Sequence, residues 1–244
     1  MRRIWIATAL LLIPSLAAAQ SVSIDLGAGG GAGATARIVQ LTALITMLAL
    51  APSALVMVTA FTRIVVVLSL LRSALGTQGA PPNTVLIGLA LFLTFFVMQP
   101  VLDQAWTTGL QPMSEGRVGE MEGLRLAAEP FRRFMAGTVR AEDLRLFLDL
   151  GGMADPAGPE QAPWRALVPA FMVGELRRAF EMGFLLYLPF LVIDMVVSTV
   201  LMSLGMMMLP PSAVSLPFKL IFFVLVDGWR LVAGSLVQSF PGMH

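Results

Sequence analysis

The sequence predicts an all-α fold: a multi-helix, membrane-associated protein of helical hairpins, with a helical insert on the periplasmic side. Three observations predict it. The 244 residues are 57% hydrophobic and only 13% charged, which leaves too little polar surface for a soluble domain. Several apolar runs have the length of membrane-spanning helices. A segment rich in charged residues separates these runs into two groups.

The composition also excludes several classes of function. With 16 basic and 15 acidic residues and no long basic run, the chain offers no phosphate footprint, so we expect no nucleic-acid partner. It contains no cysteine, which excludes disulfides, thiolate nucleophiles and cysteine metal sites. The one histidine is His244, the last residue. We therefore expect no metal centre and no cofactor.

The first 37 residues predict a leader and a linker. Two arginines, a short apolar core and three alanines give residues 1–19 the pattern of a cleaved secretory signal peptide. An uncleaved anchor helix is the alternative. Residues 20–37 are rich in glycine, and neither a strand before them nor a GK[ST] motif after them indicates a phosphate-binding loop. We interpret them as a flexible linker.

Residues 38–102 predict the first apolar hairpin. Residues 38–62 carry no charge and are numerous enough to cross about 30 Å of hydrocarbon. A second apolar run, 84–102, is just long enough to do the same. Between them, the glycines and prolines of residues 76–83 predict a turn.

Two arginines predict how this hairpin is oriented. Arg63 and Arg72 are the only charges between the two uncharged runs, so the positive-inside rule places their connection in the cytoplasm. The charged segment that follows would then lie on the periplasmic side. A cleaved signal peptide would leave the mature N-terminus on that same side, which agrees.

Residues 103–165 differ in kind from the rest of the chain. They combine many acidic residues and arginines with helical patches such as "EGLRLAAEPFRRFM" and end in the Gly/Pro-rich stretch "GGMADPAGPEQAP". We expect a helical periplasmic insert whose charges form a solvated face. A segment of this length is marginal as an independent domain, so we expect it to pack on another part of the protein.

Residues 166–244 predict a second hairpin that turns at a methionine-rich loop. Asp194 and Lys219 lie at nearly equal distances along the chain from that loop. A hairpin with its tip there brings both charges to the same depth, which predicts a buried ion pair that fixes the register of the two helices. The alternative is that each side chain reaches water separately.

Two further charges, Asp227 and Arg230, extend this pattern beyond Lys219. If the chain around residues 218–232 is one helix, then Lys219, Asp227 and Arg230 fall within a sector of about 80°. Such a polar stripe must face protein or water, since a charge at the bilayer centre costs at least about 2.5–3.5 kcal/mol.

The tip of the second hairpin consists of Met206, Met207 and Met208, followed closely by two prolines. Methionine is unbranched and polarizable and packs against many shapes. If several copies met around an axis, these tips would form a soft gasket that excludes ions yet deforms around a passing chain. This reading requires oligomerisation; the alternative is an ordinary apolar turn.

Catalysis is a weak reading of this sequence. It contains no HExxH or GxSxG motif. Asp194 and Asp227 could be nominated as the two aspartates of an intramembrane protease, but Lys219 and Arg230 favour salt bridges as the role of both. We therefore expect no enzyme.

Two long stretches resemble a known family. "FTRIVVVLSLLRSALGTQGAPPNTVLIGLALFLTFFVMQPV" (61–101) resembles the first membrane block of FliP, the flagellar type III export-gate family. "PAFMVGELRRAFEMGFLLYLPFLVIDMVVSTVLMSLGMMMLPPSAVSLPFKLIFFVLVDGWRLV" (169–232) resembles the second. Gly174 departs from the family pattern, in which a polar residue such as serine is expected.

The resemblance implies more than the residues show. FliP-like proteins form a ring, a pentamer in the family, that joins FliQ-like and FliR-like subunits and other components of the export apparatus. This ring is the entry pore for unfolded flagellar proteins in the basal body, at the bacterial inner membrane. Met206–Met208 correspond to the family's constricting loop, and Asp194 and Lys219 fall at its charged positions. The resemblance also implies that much of the complex lies above the membrane plane.

The residues themselves leave two other functions open. The first is an ion channel or transporter that uses the charges of the second hairpin as a relay: Asp194, Lys219, Asp227 and Arg230. The second is a non-conducting assembly scaffold. In all three readings the chain contacts membrane lipid, and it has no nucleotide-binding motif with which to energise transport itself.

Overall fold

The computed structural model describes residues 56–77, 79–206 and 208–240, and the separate positions 39, 41, 42, 45, 46, 49 and 53. The predicted signal peptide and glycine-rich linker lie outside the described residues. The chain divides into two units, 1–50 and 51–244. The described positions of the first unit are helical, and there the Thr46 hydroxyl donates to the carbonyl oxygen of Thr42 at 2.8 Å.

The second unit confirms the prediction of an all-α fold, because its described backbone consists of helices and turns, without a strand. In chain order its elements are α1 (Phe61–Leu75), α2 (Asn83–Ala105), a π-helical segment (Trp106–Leu110), α3 (Gln111–Ser114), α4 (Glu120–Thr138), α5 (Ala141–Leu150), a 3₁₀ turn (Pro159–Gln161), α6 (Trp164–Ser203), α7 (Pro211–Leu225) and α8 (Gly228–Gln238).

The predicted turn at residues 76–83 separates α1 from α2. Helix α1 ends at Gly76, whose φ of 71° lies in the left-handed region that glycine adopts without steric cost. Pro81 and Pro82 follow, and α2 begins at Asn83. The glycine ends one helix and the prolines delay the next, so the chain reverses here.

Helix α1 lies at the centre of the core and packs most extensively along α6. Ile64, Val67 and Leu71 have no solvent exposure. Burying each such side chain contributes about 1.5–3 kcal/mol. The two helices approach closely at Gly183, where an added Cβ would lie 2.2 Å from Cδ1 of Leu70. A larger residue at 183 would therefore push α1 away from α6.

The insert packs against the long helices, as expected for a segment too small to be stable alone. Helix α4 contacts α2 and α6, and α5 contacts α6. A second hydrophobic cluster joins Met135 and Leu148 of the insert to Leu167 and Phe171 of α6. Helix α2 continues past residue 102 without a break, through the π-helical segment, so the boundary predicted at 102/103 lies inside a continuous helix.

Two helices in the described part of the chain are long and apolar enough to cross a membrane. They are the continuous helix Asn83–Ser114, with 32 residues, and α6, with 40. Helices α7 and α8 form a third, broken candidate, bent by 63°. At 1.5 Å per residue α6 is about 60 Å long, roughly twice the thickness of the hydrocarbon. Its first turns pack against the insert.

Candidate functional site

Helices α6 and α7 form the second hairpin, and its tip is a tight turn. Helix α6 ends at Ser203, and Gly205 follows with a φ of 72°. The backbone N–H of Met206 donates to the carbonyl oxygen of Leu201 at 3.0 Å. This is the 6→1 hydrogen bond of a Schellman motif, and it caps the end of α6. Helix α7 then begins with Pro211, a residue suited to the first position of a helix.

At this tip the side chain of Met208 projects away from the protein. Met208 is 99% exposed and Met206 is 44% exposed, whereas Met207 lies outside the described residues. Packing within the chain therefore does not account for the side chain of Met208. It is held out on a short turn between two helices, where another molecule can reach it.

The structure places Asp194 and Lys219 in direct contact across the hairpin. The Nζ atom of Lys219 lies 2.6 Å from Oδ2 of Asp194, and the hydroxyl of Ser215 donates to Oδ1 at 2.6 Å. Both carboxylate oxygens are thus bonded. Lys219 is only 5% exposed, while the side chain of Asp194 is 31% exposed. The ammonium group is therefore the more deeply buried partner.

Lys219 also ties the hairpin to α1. Its Nζ donates to the carbonyl oxygen of Ala74 at 3.1 Å. That carbonyl belongs to the last turn of α1, the negative end of the helix dipole, which favours a cation. The α-carbon of Gly76 lies alongside, since a Cβ there would be 3.9 Å from Nζ. Three elements, α1, α6 and α7, consequently meet at one ammonium group.

A second buried ion pair connects α1 to α6 and to the end of α8. Arg63 donates from Nε to Oε2 of Glu175 at 2.7 Å and from Nη2 to Oε1 at 2.5 Å. Its Nη1 donates to the carbonyl oxygen of Ser239 at 2.9 Å, and its guanidinium lies 3.9 Å from the ring centroid of Phe240. Both charged side chains are 1% exposed.

This second pair was not predicted from the sequence. In the sequence, Arg63 was one of the two arginines that oriented the first hairpin, and Glu175 had no role. A usable signal existed, because an ionisable residue within apolar helices is expected to have a partner. What was lacking was the pairing itself, which joins positions 112 residues apart.

The structure corrects the role given to Arg63 in orienting the first hairpin. Arg63 is buried inside α1 and bonded to Glu175, so it is not a charge of the connecting turn. Of the two arginines, only Arg72 lies near the turn, where its Nη1 donates to Oδ1 of Asn83 at 2.5 Å. The prediction that this turn is cytoplasmic therefore rests on one charge rather than two.

The predicted polar stripe is wrong, because residues 218–232 are not one helix. The chain breaks at Asp227, whose φ of 50° is left-handed, and α7 and α8 meet at 63°. Lys219 is buried, whereas the side chains of Asp227 and Arg230 are 67% and 87% exposed and lie 4.0 Å apart. Lys219 thus belongs to the hairpin interior and the other two charges to an exposed bend.

Beside Asp194, an open groove of about 440 Å³ runs along the hairpin near its tip. Hydroxyl groups and methionine side chains line it together: Ser198, Thr199, Ser212, Met195 and Met202. Within the described residues, no group of three or more histidine, aspartate or glutamate side chains could hold a metal ion. The site's chemistry is that of a braced hairpin with an exposed methionine tip.

Comparison with known proteins connects this hairpin to one family. Residues 44–236 match the sequence profile of the FliP family. Relatives named flagellar biosynthetic protein FliP include that of Caulobacter vibrioides, 54% identical over 234 residues, with 96% of this chain and 88% of that protein covered. That of Agrobacterium fabrum is 47% identical over 238 residues (95% and 96% covered). That of Bacillus subtilis is 50% identical over 202 residues (83% and 91% covered).

Proposed function

Because this chain belongs to the FliP family, we propose that it is a core subunit of the flagellar type III protein export gate. Several copies form a ring in the bacterial inner membrane, within the flagellar basal body. The methionine tips of the second hairpins meet at the axis, and unfolded flagellar proteins pass between them. FliQ-like and FliR-like subunits complete the pore, and the insert at 103–165 lies on the periplasmic side.

One observation carries this proposal: the almost complete exposure of Met208 on a braced hairpin tip. A ring of such side chains presents flexible apolar surface toward the axis. Water and ions find no polar partner there, so the closed ring resists ion flow. A polypeptide of varying width can still displace thioether side chains, because they adopt many rotamers at small energetic cost.

The ion pair below the tip supports the same function. A seal requires that each tip be held at a fixed height and distance from the axis. The Asp194–Lys219 contact fixes the register of α6 against α7, and the bond from Lys219 to the Ala74 carbonyl fixes both against α1. The mobile part of the seal is thereby confined to the methionine side chains, on a rigid frame.

Disulfide crosslinking tests whether the tips meet. The chain has no cysteine, so any crosslink reports on the introduced position alone. In cells that make the intact complex, oxidation of Met207→Cys is expected to give a dimer of this chain. Leu91→Cys is the matched control, because Leu91 is 42% exposed but lies on α2, away from the tip. If cysteines at 206, 207 and 208 all fail to crosslink, the tips are apart and the gasket does not exist.

An ion-conducting relay is the second candidate, favoured by the groove beside Asp194. This groove brings hydroxyl groups and a partly exposed carboxylate together near the tip. A relay predicts that Asp194→Asn changes ion flux while alanines at the methionines change little. The export gate predicts the opposite order of effects on ion leakage.

A further inference from the structure

We propose that the bend between α7 and α8 is a contact between neighbouring copies of this chain, in which Asp227 of one copy pairs with Arg230 of the next. This inference rests on the proposed ring and adds to it a specific pair of interface residues. The surface concerned, the bend patch, consists of Val224, Leu225, Asp227, Arg230 and Leu231.

The bend is held in place by packing. Asp227 has a φ of 50°, a conformation that residues other than glycine seldom adopt and that aspartate tolerates better than most. Gly228 follows because a Cβ there would lie 2.2 Å from the ring of Phe223. The ring of Trp229 packs edge-on against Phe223 with centroids 5.3 Å apart. Backbone strain persists only where its surroundings enforce it, and such positions cluster at functional sites.

The bend patch suits neither lipid nor water. Val224, Leu225 and Leu231 are 75%, 79% and 57% exposed, which is unfavourable in water. The side chains of Asp227 and Arg230 are 67% and 87% exposed beside them, which is unfavourable in hydrocarbon. A protein surface that supplies both apolar contacts and opposite charges satisfies the whole patch.

The Asp227–Arg230 pair differs from the buried ion pairs in its distance and its exposure to solvent. Arg63–Glu175 and Lys219–Asp194 have N–O distances of 2.5 and 2.6 Å and are largely withdrawn from solvent. The Asp227–Arg230 pair is separated by 4.0 Å, the outer limit of an ion pair, and an exposed contact of this kind contributes little. Most of the hydrogen-bonding capacity of both groups therefore remains available to a neighbour.

A second copy of this chain is the occupant that matches the patch. The patch carries one charge of each sign, so in a head-to-tail contact the Asp227 edge of one copy faces the Arg230 edge of the next. A partner with charges of one sign would leave either Asp227 or Arg230 unpaired. Repetition of the contact around an axis is what a ring of identical subunits requires.

The test uses two differently tagged copies expressed together in the intact complex. Copy one carries Leu225→Cys and copy two carries Leu231→Cys, and the disulfide between the tags is measured after oxidation. Asp227→Arg in copy one alone places two arginines at the contact. Arg230→Asp in copy two alone places two aspartates there. Each change is expected to lower the yield of the crosslink about fivefold or more, as like charges replace opposite ones.

The decisive combination joins both changes, Asp227→Arg in copy one with Arg230→Asp in copy two. It restores opposite charges between the copies while leaving like charges within each copy. Recovery of the crosslink supports the inference. If the crosslink does not recover although both copies are present in the membrane at normal levels, the inference is overturned. A pair formed only within each copy would remain broken in both copies of this combination.

Two controls keep the result interpretable. Glu122 and Arg125 form an exposed pair at the same spacing in the insert, and reversing either charge is expected to leave the crosslink unchanged. Asp227→Asn removes the charge but tolerates the left-handed backbone, so an unaltered crosslink in that variant also counts against the pair. Met207→Cys crosslinking in matched strains reports on the ring itself. If it persists while the bend patch proves insensitive to charge, the ring stands and only the present inference fails.

Discussion

Replacing Asp194 by asparagine is expected to destabilise the protein more than replacing Lys219 by methionine. The two changes break the same contact of 2.6 Å, but they leave different charges behind. Asp194→Asn leaves the charge of a lysine side chain that is 7% exposed without a counter-charge, with only neutral acceptors such as the Ala74 carbonyl. Lys219→Met leaves a carboxylate that is 31% exposed and still accepts a hydrogen bond from Ser215.

The expected magnitudes follow from this difference in burial. Removing one partner of a fully buried pair costs about 3–5 kcal/mol, so we expect the upper part of this range for Asp194→Asn. The carboxylate left by Lys219→Met reaches water, which reduces its cost to about 2–3 kcal/mol. The double variant leaves no uncompensated charge, so its loss is expected to be smaller than the sum of the two single losses by about 2 kcal/mol or more, which is the coupling energy between the two sites.

The assay is denaturant titration of the purified protein in detergent, applied to both single variants and to the double variant. The amount of each variant found in membranes is an independent measure of the same ranking of stabilities. A greater loss for Lys219→Met than for Asp194→Asn would refute the assignment of the ammonium as the more buried partner. Strictly additive effects would show that the two groups do not interact.

Three further predictions concern the tip, the second ion pair and the bend. Alanines at Met206–Met208 are expected to raise ion leakage through the membrane or to change secretion, measured by ion-sensitive growth and by secreted flagellar protein; a pure scaffold predicts no change in either. Glu175→Gln leaves the Arg63 guanidinium buried without a counter-charge. It is expected to lower the free energy of unfolding by about 3–5 kcal/mol in the same titration. A loss below about 1 kcal/mol would contradict the burial of that pair. Gly228→Ala places a Cβ within 2.2 Å of the Phe223 ring and is expected to lower the free energy of unfolding by about 1–3 kcal/mol. Gly234→Ala, whose Cβ would have no atom within 4 Å, is the control and is expected to be neutral or stabilising. Equal effects of the two changes would show that the bend is not packed as described.

Local signals made much of the fold predictable. Glycine and proline mark the turn at 76–83 and the methionine-rich tip, and uncharged runs mark the long helices. The proximity of Asp194 and Lys219 also follows from local geometry, since a hairpin with a known tip fixes which residues lie opposite each other. In each of these cases the elements that contact each other follow directly in the chain and are joined by a single loop.

The remaining features depend on packing between distant elements. The pair formed by Arg63 and Glu175 joins positions 112 residues apart, so no periodicity within either helix identifies it. At the break at Asp227 the Phe223 ring lies against Gly228, a contact that no local pattern indicates, and a single glycine in an apolar run is compatible with an unbroken helix. The prediction of a polar stripe was wrong because it required a constant 100° per residue through Asp227, where the backbone is left-handed.

The most direct test of the account is to catch an exported protein at the methionine tip. A flagellar export substrate with one cysteine, fused to a tightly folded domain that halts its passage, is expressed with Met208→Cys in this chain. A disulfide is expected between the halted substrate and position 208, and none with the control Leu91→Cys. If the substrate halts and blocks secretion but forms no crosslink at 206, 207 or 208, then exported proteins do not pass the methionine tip, which contradicts the proposed export gate.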